Sequence, residues 1–527
     1  MSRARAGAPS DMSNPVGPTG FVRIWGGVFV AALALYVATA HRGPQWQDSG
    51  WQQVRIVTGQ LDHPGGLALA HPLQYFLGRA AIRLPIAEPA FAITLVSALA
   101  AAIAIANVAA TVFLLTRHVP ATLIAPAALM LSHTFWQHAT HTESYALVAA
   151  LLSTEWLLLA AFVQTGRAFL LPLLALANGL GIANHMLALL ATPIDVAFII
   201  WAVRARHVTP RPVIVAALLW LLGTLPYTLL VLVVAADSGD LAGTLHSALF
   251  GNYADAVLNT RLGGGALLLT IGFLVYNFPG MTIPLAVRAW TSRARPPTVI
   301  FATLGGELLV YFLFVARYAI VDQYMFYFPV YALLALFAGI GLAYICKTSA
   351  AGKRRFVLVT AAVTALWTPL LYWGTAQILA ARGAFASLVG NKPYRDGYRT
   401  FFMPWGVGDT AAQRLNRAVT ELAGEDGIVL ITDTMMQVGV AYAQAVGQIP
   451  EAVEIAVIPT AGLPEHADGW EARLRTAIQS GRPVVLVPRD RDNPQTCVPA
   501  ARWSRVGDIY RLTGLESAAP SSSPSPD

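Results

Sequence analysis

Long apolar runs of roughly 20 residues recur along the chain between short polar breaks, each long enough to cross a bilayer as a helix. They predict spans at 21–40, 91–115, 119–135, 144–164, 168–183, 186–202, 213–236, 264–290, 298–316, 323–346 and 356–380, about eleven in all. The run 168–202 is too long for one span and divides at Asn184-His185. The run 264–290 contains Asn277-Phe278-Pro279-Gly280 and is expected to break near Pro279, because proline removes a helix hydrogen bond. After residue 380 the pattern changes. Residues 427–432, 453–458 and 483–488 read as short buried strands, with helices near 409–423 and 468–479 and another helical pattern from Thr434. The expected fold is mainly α: a polytopic membrane bundle at 21–380 with a first loop at 41–90, and a small C-terminal α/β domain at 381–515. Residues 1–20 form an N-terminal segment, and 516–527 a Ser- and Pro-rich disordered tail.

Composition agrees. Of 527 residues, 56% are hydrophobic and 12% charged, against about 25% charged in soluble domains. The net charge of +7 does not imply nucleic acid, because many basic residues sit in short loops at helix ends, where they act as orientation signals. A cytoplasmic N-terminus (Arg3, Arg5, Arg23) also places Arg117, Arg167, Arg204, Arg206, Arg211, Arg288, Arg293, Arg295, Lys347, Lys353, Arg354 and Arg355 inside, whereas the opposite short loops hold only Arg261 and Arg317. The α/β domain is then outside the cytoplasm. The first run ends in Ala-Thr-Ala-His, but its length and its long polar preface favour a retained helix over a cleaved signal. Cys346 and Cys497 imply no disulfide framework.

With this orientation, polar residues from distant segments share the outer face. The first loop brings Asp48, Asp62, His63 and His71, with Trp46 and Trp51 as interface anchors. Residues 132–147, SHTFWQHATHTESYAL, bring Gln137, His138, His141 and Glu143; Asn184-His185 and the stretch from Arg317 through Asp322 to Tyr324 complete the set. Ionisable groups at the bilayer edge are costly unless they face a cavity or partner. Singly, each has a structural reading: His138 and Glu143 as helix-end residues, Trp136 and Tyr145 as aromatic belt. Together, about four segments agree on a site. A zinc site from His138, His141 and Glu143 lacks the usual ligand spacing. No phosphate-binding glycine loop and no nucleophile elbow occurs.

The motif order resembles one family. Asp48-Ser49-Gly50 in the first loop is followed by a His-Pro/Gly segment running into PLQYFLGR, then TFWQHATHTESYAL, GLGIANHMLALLATP and DQYMFYFPVYALLALFAGIGL. This resembles membrane glycosyltransferases of the GT-C class, of the transmembrane protein O-mannosyltransferase type. The resemblance covers the first two hundred residues well, is patchy over 300–345 and is faint beyond. It implies a GT-C-like bundle, a polyprenyl-phosphate sugar donor with mannose as the family's sugar, and a first-loop acid, by position Asp48, as general base. Glu143, Asn184, His185 and Asp322 match other polar positions of the family. Two departures bear on donor and acceptor choice: Trp51 follows Asp-Ser-Gly where Glu is usual, and the His-Pro-Pro-Gly segment reads HPGGLALAHP.

The chemistry fits independently. Transfer needs a base for the acceptor hydroxyl and cationic or hydrogen-bonding help for the leaving phosphate. Asp48 is the candidate base; Arg317, His63, His71 and His185 are candidates at the phosphate; Asn184, Gln137 and Glu143 are candidates for sugar hydroxyls. The expected function is inverting transfer to a protein or glycan hydroxyl on the extracytoplasmic face of a bacterial inner membrane. No cofactor and no nucleic acid are expected, a divalent ion is not favoured, and 381–515 is expected to assist acceptor binding without catalysing. Segment 391–405, with Lys392, Arg395 and Arg399 among aromatics, is expected on lipid headgroups rather than at a substrate phosphate. The alternatives are a lipid or polar-solute transporter, which predicts charged residues deep in several helices, and a non-catalytic envelope-assembly protein, which would tolerate loss of Asp48.

Overall fold

The computed structural model describes residues 18–85, 87–292, 296–460 and 467–516. Arg3, Arg5, Arg293, Arg295 and the tail from 517 lie outside the described residues. Among the described residues, seven helices are long and apolar enough to span a membrane, or up to ten if each of three bent pairs is one span; Leu170–Asn184 is a shorter apolar helix. The chain is therefore a multi-pass membrane protein.

The bundle opens with α1 (Pro18–Thr39), followed by two loop helices, α2 (Gln47–Thr58) and α3 (Pro72–Ala81). Helix α4 (Pro89–Thr116) is at its centre, packed by α1, by α5 (Val119–Met130), by α7 (Tyr145–Thr165) and by helix Phe328–Thr348. A shorter α6 (His133–Thr140) intervenes, and α8 (Leu170–Asn184) follows. Small residues permit close contact: a Cβ at Gly223 would lie 2.8 Å from the Leu176 carbonyl oxygen, so helix Pro210–Ser238 reaches the α8 backbone.

The break expected near Pro279 is present as a 108° bend between Gly264–Asn277 and Thr282–Trp290. Two runs expected to be continuous are also bent, by 68° between α5 and α6 and by 44° at Trp367. The three bends meet, and the other two supply partners for backbone groups freed between α5 and α6. Asn277 Oδ1 accepts from Thr134 N at 2.8 Å, Tyr372 Oη accepts from His133 N at 3.0 Å, and Thr368 Oγ1 donates to Leu131 O. Non-helical backbone at this depth is tolerable only with such partners. The bend redirects α6, bringing Gln137 and His138 to the cavities described below.

The C-terminal sheet has order β2-β1-β3-β5-β4, from β1 (Ile428–Ile431), β2 (Glu454–Val457), β3 (Val484–Val487), β4 (Ala501–Val506) and β5 (Ile509–Leu515). The three expected strands are parallel and the last two form an antiparallel hairpin. Helices Ala411–Ala423, Thr434–Ala445 and Ala467–Gln479 accompany them. The domain is seated on the first loop. Gly406 N and Val407 N donate to Thr39 O, Tyr442 Oη donates to Glu88 Oε1 at 2.8 Å, and Gly50 packs so closely that a Cβ there would lie 2.6 Å from Val438 Cγ2.

Deep in the bundle three acids converge, on α7 (Glu155), helix Thr192–Arg204 (Asp195) and helix Thr298–Arg317 (Glu307), all at most 3% exposed. Trp156 Nε1 donates to Glu307 Oε2 at 2.6 Å and Asn178 Nδ2 to Glu155 Oε2 at 3.3 Å. The sequence reading did not join these acids, because each stands alone in its apolar run.

Candidate functional site

Helix α2 carries its polar face inward: Ser49, Gln52, Gln53 and Arg55 are buried. In an apolar protein such a stripe needs polar partners, and the segment after α6 supplies them. Ser49 Oγ donates to Glu143 Oε1 at 2.7 Å and Gln52 Nε2 reaches Oε2 at 3.4 Å. Ser97 Oγ bonds both the N–H and the carbonyl of Glu143 at 3.1 Å, and Gln45 links Thr94 to Thr142 N. Glu143 is thus locked beside the first turn of α2, where Asp48 stands.

Two cavities meet there. One, of about 290 Å³, is polar and lined by His41, Gln45, Trp46, Gln137, His138, His141, Tyr324, Arg395, Thr400, Phe401, Asp409, Thr434 and other residues. The other, of about 520 Å³, is mainly apolar, with Leu69, Leu187, Leu189, Leu190, Leu249, Phe250, Phe314, Val321 and Phe326 beside His63, His71, Tyr75 and His185. Asp48, Trp51, Glu143, Asp322, Met325 and Met435 line both. Three carboxyls therefore stand at the junction. Burial, then the Asp48 charge, pushes Glu143 up to about 8. Burial raises Asp48 against the opposing pull of Arg55, and burial followed by the Asp48 charge raises Asp322.

Nine of the eleven expected residues line a cavity: Asp48, His63, His71, Gln137, His138, His141, Glu143, His185 and Asp322. Asn184 and Arg317 do not. Asn184 is buried beneath the site, where Nδ2 donates to Ser144 O and its carbonyl bonds His71 Nδ1 at 2.8 Å. Arg317 Nη1 donates to the carbonyls of Val257 and Asn259, so its cation ties a loop. Arg55 was missed. It is 3% exposed, its Nε and Nη1 have no hydrogen-bond partner, and its charge acts on Asp48, His63, His71 and Tyr75. Its signal was available: positions 48, 52 and 55 share one helix face.

The histidines have distinct roles. His63 Nδ1 accepts from Gly65 N at 2.9 Å and His185 Nδ1 from Leu187 N at 3.0 Å, leaving Nε2–H to donate in the neutral form. Burial pulls His63 down to about 3 and His71 to about 4, and lowers His185 strongly. These rings are neutral donors or acceptors, and Arg55, which lines neither cavity, is the buried cation whose charge reaches Asp48, His63 and His71. His138 Nδ1 donates to Thr134 O and His141 Nδ1 to Gln137 O, which leaves each Nε2 as an acceptor. Among the described residues no group of three or more His, Cys, Asp and Glu is placed to hold a metal ion. Trp136, 4% exposed and bonded through Nε1 to Thr39 Oγ1, and Tyr145, packed on His138 and His185, belong to the interior rather than to an aromatic belt.

Residues 48–209, which carry most of this site, match the family model described as Protein O-mannosyl-transferase TMEM260 N-terminal domain. No curated protein matches the sequence. Among solved structures, ArnT from Cupriavidus metallidurans bound to undecaprenyl phosphate superimposes with a TM-score of 0.58 at 13% identity, over 94% of this chain and 98% of that one. Its apo state gives 0.54 at 14% identity, over 89% and 93%. The arabinofuranosyltransferase AftD from Mycobacteria gives 0.48 at 15% identity, over 94% and 40%. The ArnT match runs through both the bundle and the C-terminal domain. The chain thus shares the fold of ArnT along nearly its whole length, and the loop and helices that build the site resemble the N-terminal domain of a protein O-mannosyltransferase family.

Proposed function

We propose that the protein transfers a sugar, mannose, from a polyprenyl-phosphate donor to an acceptor hydroxyl, with inversion, on the extracytoplasmic face of a bacterial inner membrane. The observation that carries this reading is the row of carboxyls, Asp48, Glu143 and Asp322, shared by an apolar and a polar cavity. The prenyl chain occupies the apolar cavity. The phosphate meets the Nε2–H groups of His63 and His185 and the Arg55 guanidinium, a charge-assisted contact. The acceptor enters by the polar cavity, under the C-terminal domain. Asp48 takes the hydroxyl proton as oxygen attacks the anomeric carbon from the face opposite the phosphate, which leaves with the electron pair of the broken C–O bond. Glu143, protonated at neutral pH, donates to a sugar hydroxyl. The undecaprenyl phosphate bound to ArnT supports the donor class. A monophosphate leaving group held in this way needs no divalent ion.

The test is the purified protein in proteoliposomes with polyprenyl-phosphate mannose and membranes lacking the gene. Expected are equal yields of polyprenyl phosphate and inverted mannoside, unaffected by EDTA. Use of a nucleotide sugar alone, or complete loss in EDTA restored by manganese or magnesium, contradicts the reading. One observation favours a second reading, transport of a lipid or polar solute: the Glu155, Asp195 and Glu307 cluster is the deep acidic group that such a protein carries. Movement of intact donor across the vesicle without bond cleavage is its signature.

A further inference from the structure

The roof of the polar cavity holds a cation that the transfer chemistry above does not use. Arg395 lies on the segment 391–401, and its guanidinium stands over the rings of Trp46, at 5.8 Å, and Phe401, at 5.5 Å. Its side-chain hydrogen bond, Nε to Thr400 Oγ1, is long at 3.4 Å. Among the described residues Arg395 forms no ion pair, although the neighbouring Lys392 pairs with Asp433. The charges of Asp409 and Asp433 act on Arg395 without a direct ion pair, so the cost of burying the guanidinium is only partly offset. Within cation–π distance of both rings, its guanidinium has planar N–H groups that match a planar oxyanion.

A second observation points to a ligand in the same place. The strand order puts β1 between β2 and β3, with the chain crossing from one side of β1 to the other. Open parallel sheets bind ligands in the crevice beyond the carboxyl ends of their strands at such a switch. Here the chain leaving β1 runs through Asp433 to Thr434 and Met435, and these last two line the polar cavity with Arg395. The carboxyl edge of the sheet and the guanidinium thus face one space, with Asp48, Glu143 and Asp322 on the opposite wall.

We propose that this roof is an acceptor subsite for an oxyanion, a carboxylate or phosphate carried by the acceptor near the hydroxyl that is glycosylated, with Arg395 as its ligand. The proposal rests on the transfer reading above and deepens it. An acid on the acceptor is drawn to Arg395, so the anion sits beside that guanidinium and turns the neighbouring hydroxyl towards Asp48. Thr400 and Thr434 offer hydroxyls in the same cavity, and the rings of His41 and His141, with centroids 5.7 Å apart, line it with Asp409, whose charge acts on both.

The experiment uses the full-length protein in proteoliposomes with radiolabelled polyprenyl-phosphate mannose and native membranes as acceptor. Two products are followed: label transferred to the membranes, and free mannose released when water is the acceptor. Arg395→Gln is expected to lower the ratio of transfer to hydrolysis at least tenfold and to raise the amount of membrane giving half-maximal transfer, with partial recovery in Arg395→Lys. Wild-type protein supplies an arm independent of any variant. Blocking carboxylates by carbodiimide coupling to a neutral amine abolishes transfer but not hydrolysis if the anion is a carboxylate; phosphatase treatment does so if it is a phosphate monoester. An unchanged ratio in Arg395→Gln, with both treated membranes still accepting normally, overturns the subsite while leaving the donor reading intact. Absence of both hydrolysis and transfer by the wild type overturns the donor reading, and the subsite with it.

Discussion

Ser49 Oγ donates a 2.7 Å hydrogen bond to Glu143 Oε1. One residue from Asp48, this bond fixes the separation of two acids that come from opposite sides of a 94-residue stretch of sequence. It keeps Glu143 bonded at the junction of the two cavities, which Asp48 also lines. Glu143, pushed up to about 8, keeps its proton at neutral pH, an arrangement suited to a hydrogen-bond donor beside a base.

Glu143 gives a pH prediction. Its carboxyl is pushed up to about 8, by burial first and the Asp48 charge second. Transfer should decline as pH rises through about 8, when Glu143 loses its proton beside Asp48, and Glu143→Gln should remove this alkaline limb. Stability has a definite sign. The folded state keeps a proton that the unfolded chain releases above its ordinary value of 4.5, so stability falls as pH rises from there to about 8. The thermal midpoint of Glu143→Gln should therefore fall less across that window than that of the wild type. Parallel curves would refute the assignment.

The sequence reading names Arg317 with His63, His71 and His185 at the phosphate; Arg317 ties a loop, and Arg55 is the buried cation whose charge reaches Asp48. Arg55→Gln should weaken binding of undecaprenyl phosphate by roughly 10–100-fold, the size of a lost charge-assisted hydrogen bond of about 1.5–3 kcal/mol. Arg317→Gln should affect stability more than lipid binding, because its guanidinium holds the carbonyls of Val257 and Asn259. Native mass spectrometry of both variants with the lipid compares the two directly. The reverse order of lipid affinities would return the phosphate to Arg317.

Sidedness is the third prediction. The basic-residue bias and the position of the α/β domain over the first loop require reporters fused after Arg206 and after Asp409 to report opposite sides of the membrane, with Asp409 outside. Two cytoplasmic signals would remove the shared outer face.

Much of this was legible because polar groups are conspicuous in an apolar chain. Asp48, the histidines and Glu143 stood out by composition alone, and the break at Pro279 by chemistry. The bend between Met130 and His133 was not foreseen, because its partners, Asn277 and Tyr372, are more than a hundred residues away. The β4–β5 hairpin was overlooked although Gly507-Asp508 is a two-residue turn with Gly507 at φ 65°. Arg395 was expected at headgroups because a basic, aromatic segment reads the same on a membrane as on a cavity roof; only packing of the domain onto the first loop places it at the polar cavity.

The central claim is that Asp48 is the base, and Asp48→Asn tests it most directly. Asparagine keeps the size and position of the side chain in the first turn of α2 but cannot take a proton. The variant should fold, bind undecaprenyl phosphate as the wild type does, and transfer sugar roughly 10²–10⁴-fold more slowly. A purely structural role would cost about 1 kcal/mol of stability and leave turnover nearly intact. Near-normal transfer by Asp48→Asn would contradict the account and shift the search for the base to Glu143.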